Sequence, residues 1–258
     1  MEQEIIKQEN RYVSTIFFNS RKKRNSLNAD ALFKFGDTIR EIEKENTARV
    51  LILRGAGEEV FSAGVDLSGG AKEFERTIKG LEYSIESLVN FPLPVIAMIY
   101  GPAMGAGLDF SVIADIRIAS TCAKFAAPLV KLGRTYYYTA IERLTLLIGI
   151  AAAKEMLITG RFINAKRAIE MGMVNQVTEP DKLEAVTMQL AHEIAEEASP
   201  MAVQVTKYTI KKIFEQSRID STLGGHLHAL VEEINKSSDA SEGIRAKLEK
   251  RKPVFTGK

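Results

Sequence analysis

The chain has 258 residues, which is long enough for one large domain with a sizeable hydrophobic core. Charged residues make up 26% of the composition but the net charge is only +2, so no strong overall field favours nucleic acid or an anionic membrane as a partner. The single cysteine, Cys122, excludes an internal disulfide and fits a reducing compartment. The N-terminal residues lack the pattern of a signal peptide, and no apolar stretch is long enough to span a membrane. We therefore expect a cytoplasmic protein that binds neither nucleic acid nor membrane.

The first half of the chain alternates predicted strands with predicted helices. Strands rich in β-branched and aromatic residues are predicted at Tyr12–Phe18, Val50–Leu53 and Pro94–Tyr100. A helix is predicted after Asn28, a plausible N-cap, and a second helix over Phe74–Val89. The apolar stripe of the first helix is Leu32, Phe35, Ile39 and Ile42. Continuous apolar strands that alternate with helices predict an α/β core in which most strands pair in parallel.

The pattern changes after residue 115. Short strands are predicted at Ile116–Ala119, Lys124–Ala126 and Val174–Val177. Helices are predicted around the stripe Leu183, Val186, Leu190 and Ile194, over Met201–Phe214, and over most of Asp220–Leu248. We place a boundary between a core, residues 1–197, and a helical C-terminal region, residues 198–258. No low-complexity linker marks this boundary, so the C-terminal region is expected to dock on its own core or on a neighbouring subunit.

Two short segments of small residues, Phe61–Leu67 and Gly105–Asp109, each follow a hydrophobic strand. Ala106 lies where a helix is expected to begin, so its N–H has no partner within the helix and gains from the helix dipole. The flanking Gly105 and Gly107 allow a ligand oxygen to approach the backbone without a Cβ clash. Two convergent N–H groups of this kind form an oxyanion hole, which is usually the largest catalytic contribution in thioester chemistry. The alternative is a pair of tight turns that serve packing alone.

The chain resembles the crotonase, or enoyl-CoA hydratase/isomerase, superfamily. The matching segments keep their order and spacing along nearly the whole chain: Lys23–Asn28, Val60–Leu67, Pro94–Ala97, Gly101–Gly107, Ala114–Ala119, Phe125, Pro128, Leu132–Gly133, Arg143–Leu144, Thr159–Arg161, Ala168, Gly172–Val177 and Lys250–Phe255. The resemblance implies a ββα spiral core and a helical C-terminal region that serves trimerisation, in a homotrimer or a dimer of trimers. It also implies a substrate carried as a thioester on coenzyme A, with no permanently bound cofactor.

The resemblance assigns the backbone N–H groups of Val65 and Ala106 to the oxyanion hole. It also implies that two segments, Lys23–Leu27 and Ala63–Leu67, line the coenzyme A channel, mainly through backbone groups. The residues expected to bind coenzyme A are Lys23, Arg24, Ser26, Leu27, Ala63, Val65, Asp66, Leu67 and Gly105. The basic run Arg21–Arg24 is suited to the nucleotide phosphates, although a solvated basic loop is the alternative.

The acid–base residues depart from the pattern of this superfamily. Members that hydrate enoyl thioesters use two glutamates, and the aligned positions carry Asp109 and Leu129 here. Aspartate is shorter than glutamate by one C–C bond, roughly 1.5 Å, and leucine transfers no proton. The sequence therefore argues against hydration by the two-glutamate route. Asp109 is either a catalytic acid or a first-turn acid that complements the helix dipole.

The segment Arg134–Thr139 offers groups that could replace the missing second acid. Relatives carry a Gly- and Pro-rich loop here, beside the acyl pocket. By the resemblance, Tyr136 matches a tyrosine of decarboxylases and Tyr137 matches an aspartate of dehalogenases and dienoyl isomerases. A tyrosine hydroxyl orients a carboxylate or donates a proton to an enolate, but with an ordinary pKa near 10 it is a poor base. The alternative is aromatic packing that narrows the pocket. Glu142 is a further candidate acid, or the partner of Arg143 in a structural ion pair.

These observations predict an acyl-CoA-processing enzyme of the enoyl-CoA hydratase/isomerase family that acts through a thioester enolate. Isomerisation, decarboxylation and hydrolysis remain as credible as hydration. The alternative is a non-catalytic acyl-CoA-binding or structural homologue. The histidines and the one cysteine form no ligand pattern, so no metal is expected.

Overall fold

The computed structural model describes residues 3–68, 71–216 and 221–256. In chain order the strands are β1 (Ile5–Asn10), β2 (Val13–Phe18), β3 (Val50–Gly55), β4 (Val95–Ile99), β5 (Ala103–Met104), β6 (Ile116–Ser120), β7 (Lys124–Ala126), β8 (Ile163–Asn164) and β9 (Gln176–Thr178). The α-helices are α1 (Ala29–Glu45), α2 (Ala71–Asn90), α3 (Ala106–Ile113), α4 (Tyr138–Thr159), α5 (Ala165–Glu170), α6 (Pro180–Glu197), α7 (Pro200–Gln216), α8 (Ser221–Asn235) and α9 (Ser238–Leu248). Short 3-10 helices lie at Arg21–Lys23 and Pro128–Leu132.

The main sheet has the strand order β1-β2-β3-β4-β6-β9. Strands β1 and β2 are antiparallel, and every later neighbour in this sheet is parallel. Strands β3 and β4 are buried along their whole length because helices cover both faces, with α1 on one side and α6 on the other. A smaller sheet has the strand order β5-β7-β8, and its first strand, β5, comes directly after β4 in the chain. The predicted α/β fold is confirmed.

Helix α1 follows the sequence prediction closely. The side chain of Asn28 accepts a hydrogen bond from the backbone N–H of Ala31 at 2.8 Å, which caps the helix at its predicted start. The predicted apolar stripe of this helix is fully buried against the sheet. Local capping and periodicity agree here with the tertiary packing.

Several elements differ from the sequence prediction, which did not include the short β5, β8 and α5. Strand β1 was not predicted, because only Ile5 of it is fully buried and the remainder is an edge strand paired with β2. Helix α4 was not predicted either, because its apolar residues form no single stripe and its helical path is broken at Gly149, where φ is 78°. Strand β9 begins at Gln176, two residues later than expected. The predicted start of the last helical segment, Asp220, lies outside the described residues.

Helix α9 docks on the chain's own core. Its Gly243 packs against the 3-10 helix Pro128–Leu132 so closely that an added Cβ would lie 2.2 Å from the carbonyl oxygen of Leu132. In the same contact, a Cβ on Gly133 would lie 2.2 Å from the carbonyl oxygen of Asp239. Glycine is required at both positions because backbone meets backbone.

Arg117 binds the carbonyl groups at the C-terminal end of α3. Its buried guanidinium donates hydrogen bonds to the carbonyl oxygens of Ser111 (3.2 Å), Val112 (3.3 Å) and Met173 (2.7 Å), and also to that of Ala114. A cation is favourable at a helix C-terminus because it compensates the unpaired carbonyl groups. Burial lowers the pKa of Arg117 to about 10.

Arg117→Met is expected to lower the free energy of unfolding by about 2–4 kcal/mol, because buried carbonyl groups are left without donors. Urea denaturation of the variant measures this loss. Arg161→Met, at an exposed arginine, is the matched control and is expected to change stability little. Equal stability of the two variants would contradict the role assigned to Arg117.

Candidate active site

The two segments of small residues lie side by side. Ser62 pairs with Ala103, and the N–H of Met104 donates to the carbonyl oxygen of Ser62 at 2.9 Å. Gly64 packs directly on the second segment, since an added Cβ would lie 2.8 Å from the Met104 carbonyl oxygen and 3.1 Å from the Ala106 nitrogen. The φ of Gly64 is +85°, which a residue with a side chain rarely adopts. Glycine therefore allows the two backbones to meet.

The backbone N–H groups of Val65 and Ala106 are free at this junction. Ala106 is the first residue of α3, so it has no acceptor within the helix. The position of Val65 is fixed by the hydrogen bonds of its two chain neighbours with Leu27. The N–H of Leu27 donates to the Gly64 carbonyl oxygen at 2.9 Å, and the N–H of Asp66 donates to the Leu27 carbonyl oxygen at 2.8 Å. Within the described ranges, neither the Val65 nor the Ala106 N–H donates to another residue. The N–H of Gly105, in contrast, donates to the carbonyl oxygen of Ala126 at 3.3 Å.

The predicted coenzyme-binding segments are joined to each other. The N–H of Ala63 donates to the carbonyl oxygen of Arg24 at 3.0 Å. Lys23 Nζ lies 2.8 Å from Asp66 Oδ2, and this hydrogen bond raises the pKa of Lys23. Lys23 therefore anchors the loop through Asp66, which also accepts the N–H of Ser68 at 2.9 Å.

Asn25 is a positioning residue that sequence reasoning did not single out. Its buried amide nitrogen donates to the carbonyl oxygens of Ala56 (3.1 Å) and Val60 (2.8 Å), and its amide oxygen accepts from the N–H of Ser20 at 3.1 Å. These bonds tie the basic turn to the loop that follows β3. The positive φ of Asn25, 53°, fits the tolerance of asparagine for this conformation.

A small cavity opens next to α3. Its wall is mainly apolar but contains the side chains of Asp109 and Tyr136. The lining residues are Gly105, Leu108, Asp109, Val112, Ala127, Tyr136, Ala140, Leu144 and Leu157. The cavity volume is about 10 Å³, close to the minimum that one water molecule needs. The cavity adjoins the first turn of α3, where the free N–H of Ala106 lies.

Tyr136 lines this cavity, and its hydroxyl is buried without a hydrogen-bond partner among the described residues. Burial raises the pKa of this hydroxyl well above its usual value, and the negative charge of Asp109 raises it further. An unpartnered buried hydroxyl is costly in a structural role. The geometry therefore favours a ligand as its partner.

Asp109 is bound on both oxygens by Arg143. Arg143 Nη2 lies 2.9 Å from Oδ1 and 2.7 Å from Oδ2, and Nε lies 3.2 Å from Oδ1. The side chain of Asp109 is only 10% exposed and that of Arg143 only 16%. In the described residues Arg143 thus pairs with a carboxylate on α3, and not with Glu142, which the sequence offered either as its partner or as a further candidate acid. Adjacency in the sequence suggested Glu142 as the partner of Arg143, but successive residues of α4 point their side chains in different directions.

Tyr137 and Leu129 do not line this cavity. The Tyr137 hydroxyl donates to Glu232 Oε1 at 3.2 Å, and its ring stacks on His228 at 5.5 Å between centroids. Burial, together with the charge of Glu232, raises the pKa of Tyr137 to about 12. Leu129 lies half-buried in the 3-10 helix Pro128–Leu132 and does not line the cavity. These contacts favour a packing role for Tyr137, between the start of α4 and α8.

Neither a metal centre nor a membrane segment emerges from the described residues. They contain no group of three or more His, Cys, Asp or Glu side chains that could hold a metal ion. None of the helices in the described ranges has the length and apolar character needed to cross a membrane.

The chain is similar in sequence to proteins of a known family. The enoyl-CoA hydratase/isomerase family model matches residues 8–258. The chain belongs to the enoyl-CoA hydratase/isomerase family. It is 36% identical over 246 residues to the short-chain-enoyl-CoA hydratase of Clostridium acetobutylicum, covering 93% of this chain and 92% of that one. The identity to the methylmalonyl-CoA decarboxylase of Escherichia coli is 30% over 251 residues, covering 95% of each chain.

The fold agrees with solved structures of this family. A crystal structure of methylmalonyl-CoA decarboxylase superposes with a TM-score of 0.89 at 29% identity, covering 100% of both chains. The crotonase fold of the enoyl-CoA hydratase/isomerase family is therefore the fold of this chain. Relatives with hydratase and decarboxylase names both match over most of their length, so membership alone leaves the reaction open.

Proposed function

We propose that this protein is an acyl-CoA enzyme that decarboxylates a malonyl-type thioester through an enolate. The observation that carries the proposal is the buried, unpartnered hydroxyl of Tyr136 in a cavity whose acid, Asp109, is bound by Arg143. Loss of a carboxylate forms an enolate without any general base, which suits a site with no free acid–base pair. Likeness to methylmalonyl-CoA decarboxylase over 95% of both chains supports the same reaction class.

Hydration has weaker support at this site. It requires one group to activate water and another to deliver a proton to the α-carbon. Leu129 occupies the second acid position, and both oxygens of Asp109 are engaged by Arg143. Among the described residues that line the cavity, the one carboxylate is therefore already bound by a cation.

In the proposed reaction the thioester oxygen accepts hydrogen bonds from the Val65 and Ala106 N–H groups. The bond between the α-carbon and the carboxylate breaks, CO2 leaves, and the electron pair moves onto the thioester oxygen as an enolate. The Tyr136 hydroxyl then gives its proton to the α-carbon and regains one from water. Each donor of such an oxyanion hole contributes about 10²–10³ in rate.

Coenzyme A is proposed to bind as part of the substrate, along the joined segments Lys23–Leu27 and Ala63–Leu67, with Gly105 at the end nearest the acyl group. The residues that the resemblance assigns to coenzyme A binding are proposed for that role here. All four side chains of the run Arg21–Arg24 are exposed, and Lys23 is engaged by Asp66, so Arg21, Lys22 and Arg24 are the better candidates for phosphate contacts.

The C-terminal region, residues 198–258, is proposed to mediate a homotrimer or a dimer of trimers. Helix α7 exposes large apolar side chains, at Met201, Val205, Tyr208, Ile210 and Ile213, which supports burial against another subunit. The solution mass measured by light scattering tests this proposal.

The test of function is turnover of a panel of thioesters, with product chromatography and CO2 detection. The panel contains methylmalonyl-CoA, malonyl-CoA, crotonyl-CoA, a 3-enoyl-CoA and a cyclic enoyl-CoA. We expect CO2 release from a malonyl-type thioester and hydration of crotonyl-CoA that is slower by about 10² or more. Efficient hydration of crotonyl-CoA would overturn the proposal, and binding without turnover of any thioester would favour a non-catalytic acyl-CoA-binding homologue.

A further inference from the structure

The ion pair between Asp109 and Arg143 lies at the reacting end of the proposed site. Asp109 lines the same cavity as Tyr136, and its charge contributes to the raised pKa of the Tyr136 hydroxyl. Arg143 reaches it from α4, across 34 residues of sequence, and binds it in the two-pronged geometry characteristic of arginine and carboxylate. Asp109 is thus the one carboxylate among the described residues that line this cavity.

The two-pronged contact with Arg143 occupies both carboxylate oxygens of Asp109. To take a proton from a substrate, Asp109 would have to release hydrogen bonds from Arg143. This would leave the guanidinium without its charged partner in a place where it is only 16% exposed. An unpaired charge in such surroundings is strongly unfavourable. The pair therefore opposes proton transfer to Asp109, which lies in the cavity wall.

We infer that Arg143 determines the reaction type by withholding Asp109 from the α-carbon, so that the site contains a latent α-deprotonation activity. This inference rests on the enolate site of the proposed function, but it does not depend on decarboxylation. In the latent reaction the Cα–H bond breaks, the proton forms an O–H bond on Asp109, and the electron pair moves onto the thioester oxygen. Return of a proton from Asp109 to the α-carbon regenerates the thioester. In heavy water this cycle replaces hydrogen by deuterium at the α-carbon.

A purely structural ion pair would give a different result when broken. Loss of a structural contact lowers stability and reduces every activity of the site together. Release of a withheld base creates an activity that the original protein lacks, and that activity disappears when the base is also removed. The two cases are therefore separated by a gain that depends on Asp109.

The experiment measures deuterium incorporation into butyryl-CoA in heavy water by mass spectrometry. Butyryl-CoA has no carboxylate to lose, so the readout is independent of decarboxylation. Arg143→Gln is expected to raise the exchange rate by about tenfold or more over the unchanged protein. The double variant Asp109→Asn with Arg143→Gln is expected to return the rate to the original level. Thioester binding and the thermal unfolding curve are recorded for each variant.

Arg143→Lys provides a second test in case the glutamine variant does not fold. Lysine keeps the charge but lacks the rigid fork, so Asp109 is held more loosely. The exchange rate is then expected to rise by about threefold or more, and to fall back when Asp109→Asn is added. The inference is overturned if folded, thioester-binding variants exchange no faster than the original protein, or if the gain persists without Asp109. Failure of decarboxylation in the substrate panel would leave this exchange result intact, which separates the two proposals.

Discussion

Replacement of Tyr136 by phenylalanine is expected to lower kcat for decarboxylation by about 10²–10⁴, the range that a positioned proton donor contributes. The change removes one hydroxyl oxygen and leaves the ring that packs in the cavity wall. Because this hydroxyl has no hydrogen-bond partner in the described part of the chain, its loss breaks no hydrogen bond there and should not lower stability. Steady-state kinetics with a malonyl-type thioester measure the effect, and KM is expected to change little.

Tyr137→Phe is the matched control for this change. It removes a hydroxyl of the same kind one residue further along, from a side chain that contacts Glu232 and His228 rather than the cavity. We expect a small loss of stability and nearly unchanged kcat. A larger loss of kcat from Tyr137→Phe than from Tyr136→Phe would exchange their roles and return Tyr137 to the catalytic candidates.

The pH dependence gives a second check on Tyr136. Burial, aided by the charge of Asp109, raises the pKa of its hydroxyl above the ordinary value of 10.0. The donor form is therefore populated throughout the neutral and moderately alkaline range. We expect kcat to show no alkaline decline below about pH 10, and a decline near neutrality would assign the proton donor to another group.

Much of the fold could be predicted because local and tertiary preferences agree. Asn28 caps α1 through its own side chain, and the apolar strands β3 and β4 lie in the sheet centre as their composition indicates. The free N–H of Ala106 also follows from sequence, since it depends only on where α3 begins. Elements with weak local signals were missed, as β1 illustrates: it is an edge strand with one fully buried residue.

The acid–base groups of the site could not be predicted in the same way. Sequence identified Asp109 and Tyr136 as candidates, but the partner of Asp109 depends on how α4 packs on α3. A bond across 34 positions leaves no local signal, and the adjacent Glu142 was the nearer choice for Arg143. The difference between Tyr136 and Tyr137 is likewise set by the direction in which each side chain leaves the start of α4.

Gly64→Ala is expected to reduce kcat by about 10²–10³, the cost of one oxyanion-hole donor. The φ of +85° disfavours any residue with a Cβ, and the new methyl group would lie 2.8 Å from the Met104 carbonyl oxygen and 3.1 Å from the Ala106 nitrogen. Because these are backbone atoms, no side chain can turn aside, and the Val65 and Ala106 N–H groups must move apart. Gly172→Ala is the control, since its φ is +74° but the nearest atom to an added Cβ lies 4.0 Å away. Both variants carry the backbone strain, so an equal loss of kcat would attribute the effect to strain and contradict the assignment of Val65 and Ala106 to the oxyanion hole.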